Sequence, residues 1–292
     1  MKLYKQIPQL RKKLKEVRKK GQTIGFVPTM GFLHQGHLSL VRESVKETDF
    51  TVVSVFVNPT QFGPEEDFLK YPRDLDRDVK LLETEGVKAV FSPSADEMYP
   101  EGYSTYVEVH GLQDKLCGRS RTGHFRGVCT VVLKMFNIIR PDIAFFGQKD
   151  AQQAVIIRRM VRDLNLDVKI EILPIIRDKD GLALSSRNAY LSSKERPAAL
   201  VLSRSLRLAE KKFAEGERDV RKLKKAMEEI IIREPSVRID YLEIVDPDTL
   251  ESVTVIKGYA LVTVAVFIGR VRLIDNTILI DKGEGLNEKI HA

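Results

Sequence analysis

The residues with the clearest capacity for chemistry are His34 and His37, two imidazoles separated by Gln35 and Gly36 within TIGFVPTMGFLHQGHLSLV, residues 23–41. Ahead of them Ile24, Phe26 and Val27 read as a short buried strand. Pro28, which has no N–H to donate, is expected to end its ladder. Thr29, Met30 and Gly31 then make a turn, and residues 33–41 carry the apolar spacing of a helix packed on a sheet. The pair therefore falls near a helix N-terminus, where free N–H groups and a partial positive charge of about half a unit favour an anion. Gly36, without a Cβ, lets a bulky group approach the backbone. A zinc site would want further ligands at matching spacing, and none stands nearby. A core histidine rarely sits between a strand-ending turn and a glycine, so phosphate contact is the stronger reading. The stretch is not a P-loop: His37 stands where Lys is needed, and no G-x-G-x-x-G follows the strand.

Further blocks carry candidate chemistry. FVNPTQFG, residues 56–63, leaves a strand through Asn58 and Pro59. It is either a plain loop opening, with Phe62 plugging the core, or a place where the amides of Asn58 and Gln61 meet hydroxyls and a carbonyl oxygen. GRSRTGHFRG, residues 118–127, sets Arg119, Arg121, His124 and Arg126 between glycines, as a basic surface loop or as cations brought close to an anion. In FGQKDAQQ, residues 146–153, Asp150 could simply cap the next helix, whereas Lys149 sits at a strand's carboxyl end, where a point charge reaches a phosphate. In LSSR, residues 184–187, the serines are helix caps, or they join Arg187 in offering two hydroxyls and a guanidinium. Asp74, Asp76 and Asp78 read as the solvated face of a helix.

A strand followed by H-x-G-H at a helix start resembles the signature of nucleotidyltransferases and class I aminoacyl-tRNA synthetases, whose histidines stabilise a triphosphate as its α-phosphorus is attacked. Taken in order, PTMGFLHQGH, FVNPTQFGPEEDFLKYPRDLDRD, RTGHFRGVCTVV, FFGQKDAQQ and DGLALSSRNAYLS resemble the pantoate–β-alanine ligase family over nearly the whole chain. That resemblance implies an ATP-dependent, two-step condensation of D-pantoate with β-alanine through a pantoyl adenylate, releasing pyrophosphate and AMP. It implies Mg2+, a homodimer and a cytoplasmic enzyme.

By the same resemblance, Met30, Gly31, Phe32, Leu33, His34, Gln35, Gly36 and His37 bind ATP, together with Gly147, Gln148, Lys149 and Asp150. Ile176 meets the adenine by its backbone. Leu184, Ser185, Ser186 and Arg187 clamp the triphosphate as a K-M-S-K-S loop does. Pantoate falls to Gln61 and Gln153, with Asn58, Pro28, Thr29, Met30, Arg121 and His124 as further substrate contacts. Gln61 also serves the β-alanine that replaces the leaving AMP, and Asp150 helps to hold the magnesium. His34, His37, Lys149, Ser185, Ser186 and Arg187 form the expected catalytic set, acting by position and charge with no covalent nucleophile. Arg77 departs from the family pattern, standing where an acid is expected. The I-S-S-T-x-x-R pattern of the nearest rival, a nucleotidyltransferase, is absent.

The elements that must position these residues alternate. Helix is expected over 3–20, strand over 23–28, helix over 36–47, strand over 50–57, helix over 70–86 and strand over 89–91. Helix 128–139, strand 143–146, helix 151–164 and strand 168–172 follow. This predicts an α/β fold with a doubly wound, Rossmann-like parallel sheet over residues 1–175, with ligands beyond the strands' carboxyl ends. Residues 176–292 read as a smaller α+β domain closing over the active site. Its helices are expected over 194–214 and 220–233, and its strands over 241–245, 259–268, 271–273 and 277–280.

The 292 residues, 43% hydrophobic and 30% charged, suit an ordinary globular protein of two domains. No apolar run approaches membrane-spanning length, and the basic first twenty residues lack a signal-peptide core. Cys117 and Cys129 fit neither a disulfide framework nor a metal pair. These features point to the cytoplasm and away from membranes. A net charge of +7 raises nucleic-acid binding. Yet the basic stretches 11–20 and 218–225 are interleaved with apolar residues at helical spacing, and no nucleic-acid module accompanies them. They read as solvated helix faces.

Overall fold

The computed structural model describes residues 1–64 and 66–281. It divides into one unit of Met1–Asp114, Arg121–Ile176 and Leu184–Ser186, and another of Lys115–Ser120, Arg177–Ala183 and the residues from Arg187 onward.

In the first unit the strands β1 (Lys2–Tyr4), β2 (Ile24–Thr29), β3 (Phe50–Val55), β4 (Ala89–Phe91), β5 (Ile143–Gly147) and β6 (Lys169–Leu173) form one sheet. It is parallel throughout, in the order β1-β4-β3-β2-β5-β6. Phe26, Val27, Val52, Val53 and Phe145 are fully buried, as expected for central strands covered on both faces. The helices are α1 (Ile7–Lys19), α2 (Gln35–Glu47), α3 (Leu75–Thr84), the short α4 (Ala95–Met98), α6 (His124–Ile139) and α7 (Ala151–Asp163). A single turn, α5 (Cys117–Ser120), belongs to the second unit. Helix α2 lays Leu38 and Val41 into a cluster with Val27 and Val53. It approaches β2 so closely that a Cβ on Gly25 would collide with the hydroxyls of Ser44 and Thr48.

Chain order turns back at β2, which pairs with β3 on one side and β5 on the other. The carboxyl ends of β2 and β5 thus flank the switch point at which such sheets bind ligands. His34 and His37 follow the first of these strands, and Lys149 follows the second.

Several boundaries differ from the sequence reading, each for a local reason. Pro28 does not end β2: it stays in register with Ser54, and Thr29 follows opposite Val55. Thr29 turns its carbonyl toward β3, where it accepts the Phe56 N–H at 3.1 Å. The preceding residue therefore faces the β5 side, where pairing has stopped at Phe26, so the missing N–H costs no ladder bond. Helix 3–20 becomes a three-residue edge strand and then α1, since three residues are too few to display a period. Helix 70–86 begins only at Leu75, with Asp74 as N-cap accepting the Arg77 N–H at 3.0 Å. Asp78 is not on a solvated face: it is fully buried, on the inner side of α3 with Leu82. Helix α6 starts four residues before expectation, after Gly123 in the left-handed conformation (φ +80°).

The second unit packs α8 (Glu195–Ala199), α9 (Val201–Ala214) and α10 (Val220–Ile231) against an antiparallel sheet of β7 (Val237–Val245), β8 (Tyr259–Ile268) and β9 (Val271–Ile280). Leu206, Leu223, Met227, Val262, Val264 and Val266 share its core. Strand β9 is continuous where the sequence suggested two short pieces. Asp275 and Asn276 interrupt its apolar pattern but stay buried, with Asp275 accepting two hydrogen bonds from Arg177 at 2.6 and 2.9 Å. Asp275→Ala leaves that guanidinium without its carboxylate and is expected to cost about 3 kcal/mol, measured by urea unfolding. A change below about 0.5 kcal/mol would show the pair to be energetically idle.

Candidate active site

At the end of β2 the chain turns through Gly31 (φ +84°) and Phe32 (φ +52°) into α2, with His34 as N-cap. The His34 ring folds back so that its Nδ1 accepts the Gly36 N–H at 3.2 Å, and the His37 Nδ1 accepts the His34 N–H at 3.3 Å. This is a reciprocal capping box in which imidazoles replace the usual hydroxyl and carboxylate. With both Nδ1 atoms accepting, each neutral ring carries its proton on Nε2, which remains a donor. The ring centroids lie 4.0 Å apart. A Cβ on Gly36 would lie 3.0 Å from the His34 ring, so the glycine makes room for that ring as well as for a ligand.

Burial dominates the charge state of the pair. Desolvation, reinforced by the nearby Lys149 cation, pulls the His34 pKa down to about 4. The His37 pKa lies well below the ordinary value, again from desolvation first and then from the charges of His34 and Lys149. Both rings are therefore neutral at pH 7. Because the folded-state pKa is depressed, the His34 contribution to stability is full above about pH 6.5 and is lost as pH falls toward about 4. Imidazole nitrogen NMR is expected to show the Nε2–H tautomer for both residues, with the His34 midpoint near 4 and the His37 midpoint well below the ordinary value. A His34 midpoint near 6.5 would contradict the assignment.

Beyond β5, Gly147 leads into a turn formed by Gln148–Asp150 and then α7. Lys149 lies 3.7 Å from the Asp150 carboxylate and within electrostatic reach of both histidines. Asp150 occupies the N-cap position of α7, yet its side chain makes no capping bond, so capping does not explain it. Gln152 is buried and donates to the Leu112 carbonyl at 3.0 Å, leaving Gln153 as the more exposed of the pair. Ser186 is buried and donates to the Phe32 carbonyl at 3.3 Å. The Leu184 N–H donates to the Ile176 carbonyl at 3.0 Å. Ser185 and Ser186 thus belong to the same unit as the histidines, while Arg187 belongs to the second unit.

A separate amide cluster follows β3. The Gln61 Nε2 donates to the Met30 sulfur at 3.2 Å, and its Oε1 accepts from Asn58 at 3.1 Å. Asn58 is almost fully buried and its amide is engaged within the protein. It donates also to the Gly127 carbonyl at 3.1 Å, and accepts from Tyr99 at 2.7 Å and the Thr60 hydroxyl at 3.0 Å. Burial pushes the Tyr99 pKa up to about 12, so the phenol remains a donor. Helix α6 presses on this turn: a Cβ on Gly127 would overlap the Thr60 carbonyl. His124 reaches the Gln61 carbonyl at 2.8 Å, and Arg121 pairs with Glu66 at 2.5 and 2.8 Å. Within the protein itself, the anion near Arg121 is therefore Glu66.

Three residues around these clusters escape the sequence reading: Asp78, Tyr99 and Glu66. Asp78 had a signal, since it shares a helical stripe with Leu75 and Leu82. Tyr99 and Glu66 had none, because their partners are fixed by tertiary contacts.

A parallel sheet that presents paired histidines at a helix start beyond one switch-point strand, and a lysine beyond the other, defines a nucleotide-binding α/β protein of the H-x-G-H class. The family profile of pantoate-beta-alanine ligase matches residues 2–278, and the chain belongs to that family. It is 58% identical over 279 residues to the pantothenate synthetase of Thermotoga petrophila, covering 96% of this chain and all of that one. It is 56% identical over 273 residues to that of Caldicellulosiruptor saccharolyticus, covering 94% and 97%. Among solved structures, the pantothenate synthetase of Thermus thermophilus superposes with a TM-score of 0.91 at 45% identity, covering 95% and 99%. The Francisella tularensis ligase, complexed with β,γ-ATP and β-alanine, superposes with a TM-score of 0.78 at 34% identity, covering 95% and 97%.

Proposed function

We propose that this chain condenses D-pantoate with β-alanine at the expense of ATP, with the residues above in defined roles. A pantoate carboxylate oxygen attacks the α-phosphorus of ATP, forming pantoyl adenylate and expelling pyrophosphate. The amine of β-alanine then attacks the activated carbonyl, and AMP leaves. The observation that carries the reading is the neutral imidazole pair capping a helix N-terminus, each Nδ1 held by a backbone N–H so that each Nε2–H is left as a donor, with Lys149 close by. Two neutral donors and one cation suit the charge that grows on the leaving pyrophosphate, and being prearranged they need no reorganisation as it grows. Ser185, Ser186 and Arg187 add donors to the phosphates. Gln61 and Gln153 hold pantoate, with Asn58, Tyr99 and Gly127 fixing the turn that carries Gln61.

Among the described residues no group of three or more His, Cys, Asp or Glu side chains is arranged to hold a metal. Mg2+ would enter on the triphosphate, with the Asp150 carboxylate as a protein ligand, since Mg2+ at such sites takes one or two carboxylates and phosphate oxygens. The ion would draw charge from the phosphates. We further read the enzyme as a cytoplasmic homodimer that binds neither nucleic acid nor membrane. No helix among the described residues is long and apolar enough to cross a membrane.

Pyrophosphate release from Mg-ATP and D-pantoate, without and then with β-alanine, tests the reading. A single-turnover burst that becomes steady release with the amine is expected. Steady release that ignores the amine would favour a nucleotidyltransferase, and no release at all would end the proposal.

A further inference from the structure

We infer that Asp78 is a positioning residue for adenylation, holding the Gly31–Leu33 turn and, through it, both histidines. Its carboxylate is fully buried and accepts the Phe32 N–H at 2.6 Å and the Leu33 N–H at 2.8 Å. The turn it grips is strained, since Phe32 is a bulky residue in the left-handed region immediately after Gly31 in the same region. A Cβ on Gly31 would sit 3.1 Å from the Asp78 carboxylate, so the carboxylate and the glycine fit each other. Arg77 straps the same turn from outside, donating to the Leu33 carbonyl at 3.0 Å with its guanidinium 5.2 Å from the Phe32 ring centre.

The link to the chemistry is one residue long. Leu33 precedes His34, whose backbone N–H fixes the His37 ring and whose own ring is fixed by Gly36. Moving the turn therefore rotates both Nε2 donors away from the phosphate. Burying this carboxylate raises its pKa despite the two N–H donors. A group this costly to desolvate is a poor device for stability alone. Its return is the fixed geometry of the histidines.

The inference rests on the proposed adenylation, and the experiment separates the two. Asp78→Asn keeps the volume but points an NH2 donor at an N–H donor. It is expected to lower the kcat of pyrophosphate release about tenfold or more, leaving the KM for ATP within about threefold. On a His37→Ala background the same substitution should cost clearly less, because one of the two rings it positions is gone. Arg77→Ala, on a side chain 45% exposed, should show the same pattern with a smaller loss. If Asp78→Asn does not fold, Arg77→Ala decides. Wild-type kcat in the folded variant, a loss confined to KM, or an undiminished loss on the His37→Ala background would overturn the inference. Failure of the wild-type protein to release pyrophosphate would instead overturn the adenylation reading itself.

Discussion

Replacing His37 by alanine is expected to slow pyrophosphate release on the order of hundredfold or more, as for the loss of an oxyanion donor. The substitution removes the Nε2–H that meets the leaving group. It also removes the Nδ1 that accepts the His34 N–H, so part of the loss comes from His34 drifting out of place. The lost cap is worth about 1 kcal/mol of helix stability, too little to unfold the domain at 25 °C. The measurement is a single-turnover quench of ATP with pantoate, with amine attack followed separately from isolated pantoyl adenylate. Adenylation should carry the larger loss, because only that step expels pyrophosphate. A variant within about tenfold of wild type would remove His37 from the role assigned here.

Lys149→Met should cost a comparable factor, on the order of hundredfold, by removing the point charge at the carboxyl end of β5. This substitution has a second consequence that a purely structural lysine would not share. The Lys149 cation helps to hold both imidazoles below their ordinary pKa, so its loss should raise the His34 midpoint above about 4. Burial remains the larger cause, and the midpoint should therefore stay below 6.5. A fall in rate with an unmoved midpoint would mean that Lys149 is too far from the imidazoles to act on them. An unmoved rate would mean that it does not meet the phosphates.

Much of the candidate site's local geometry was legible in the sequence because its parts are local. His34, Gly36 and His37 cap their own helix within four residues, and Lys149 directly follows a strand. Strands β4 and β8 fell on the expected residues, as short apolar runs bounded by turns do. What could not be read was long-range. Asp78 lies 45 and 46 residues from the N–H groups it holds, and an acid among other acids looks solvated until the helix face is known. Asn58 looked like a substrate contact because its amide can both donate and accept. The structure adds what spacing could not show, that tertiary packing engages that amide with Tyr99, Thr60, Gly127 and Gln61. The glycine-flanked basic stretch looked like one loop, but Gly123 starts α6 and Gly127 lets that helix press on Thr60. Pro28 was misleading because a proline breaks a ladder only on the side its nitrogen faces.

The most direct measurement follows oxygen from D-pantoate labelled with 18O in its carboxylate. Attack on the α-phosphorus followed by amine displacement at the carbonyl leaves one carboxylate oxygen on AMP, so each turnover is predicted to yield AMP carrying a single 18O. Label in pyrophosphate, or AMP free of label while pantothenate forms, would contradict an acyl adenylate and the roles given to His34, His37 and Lys149.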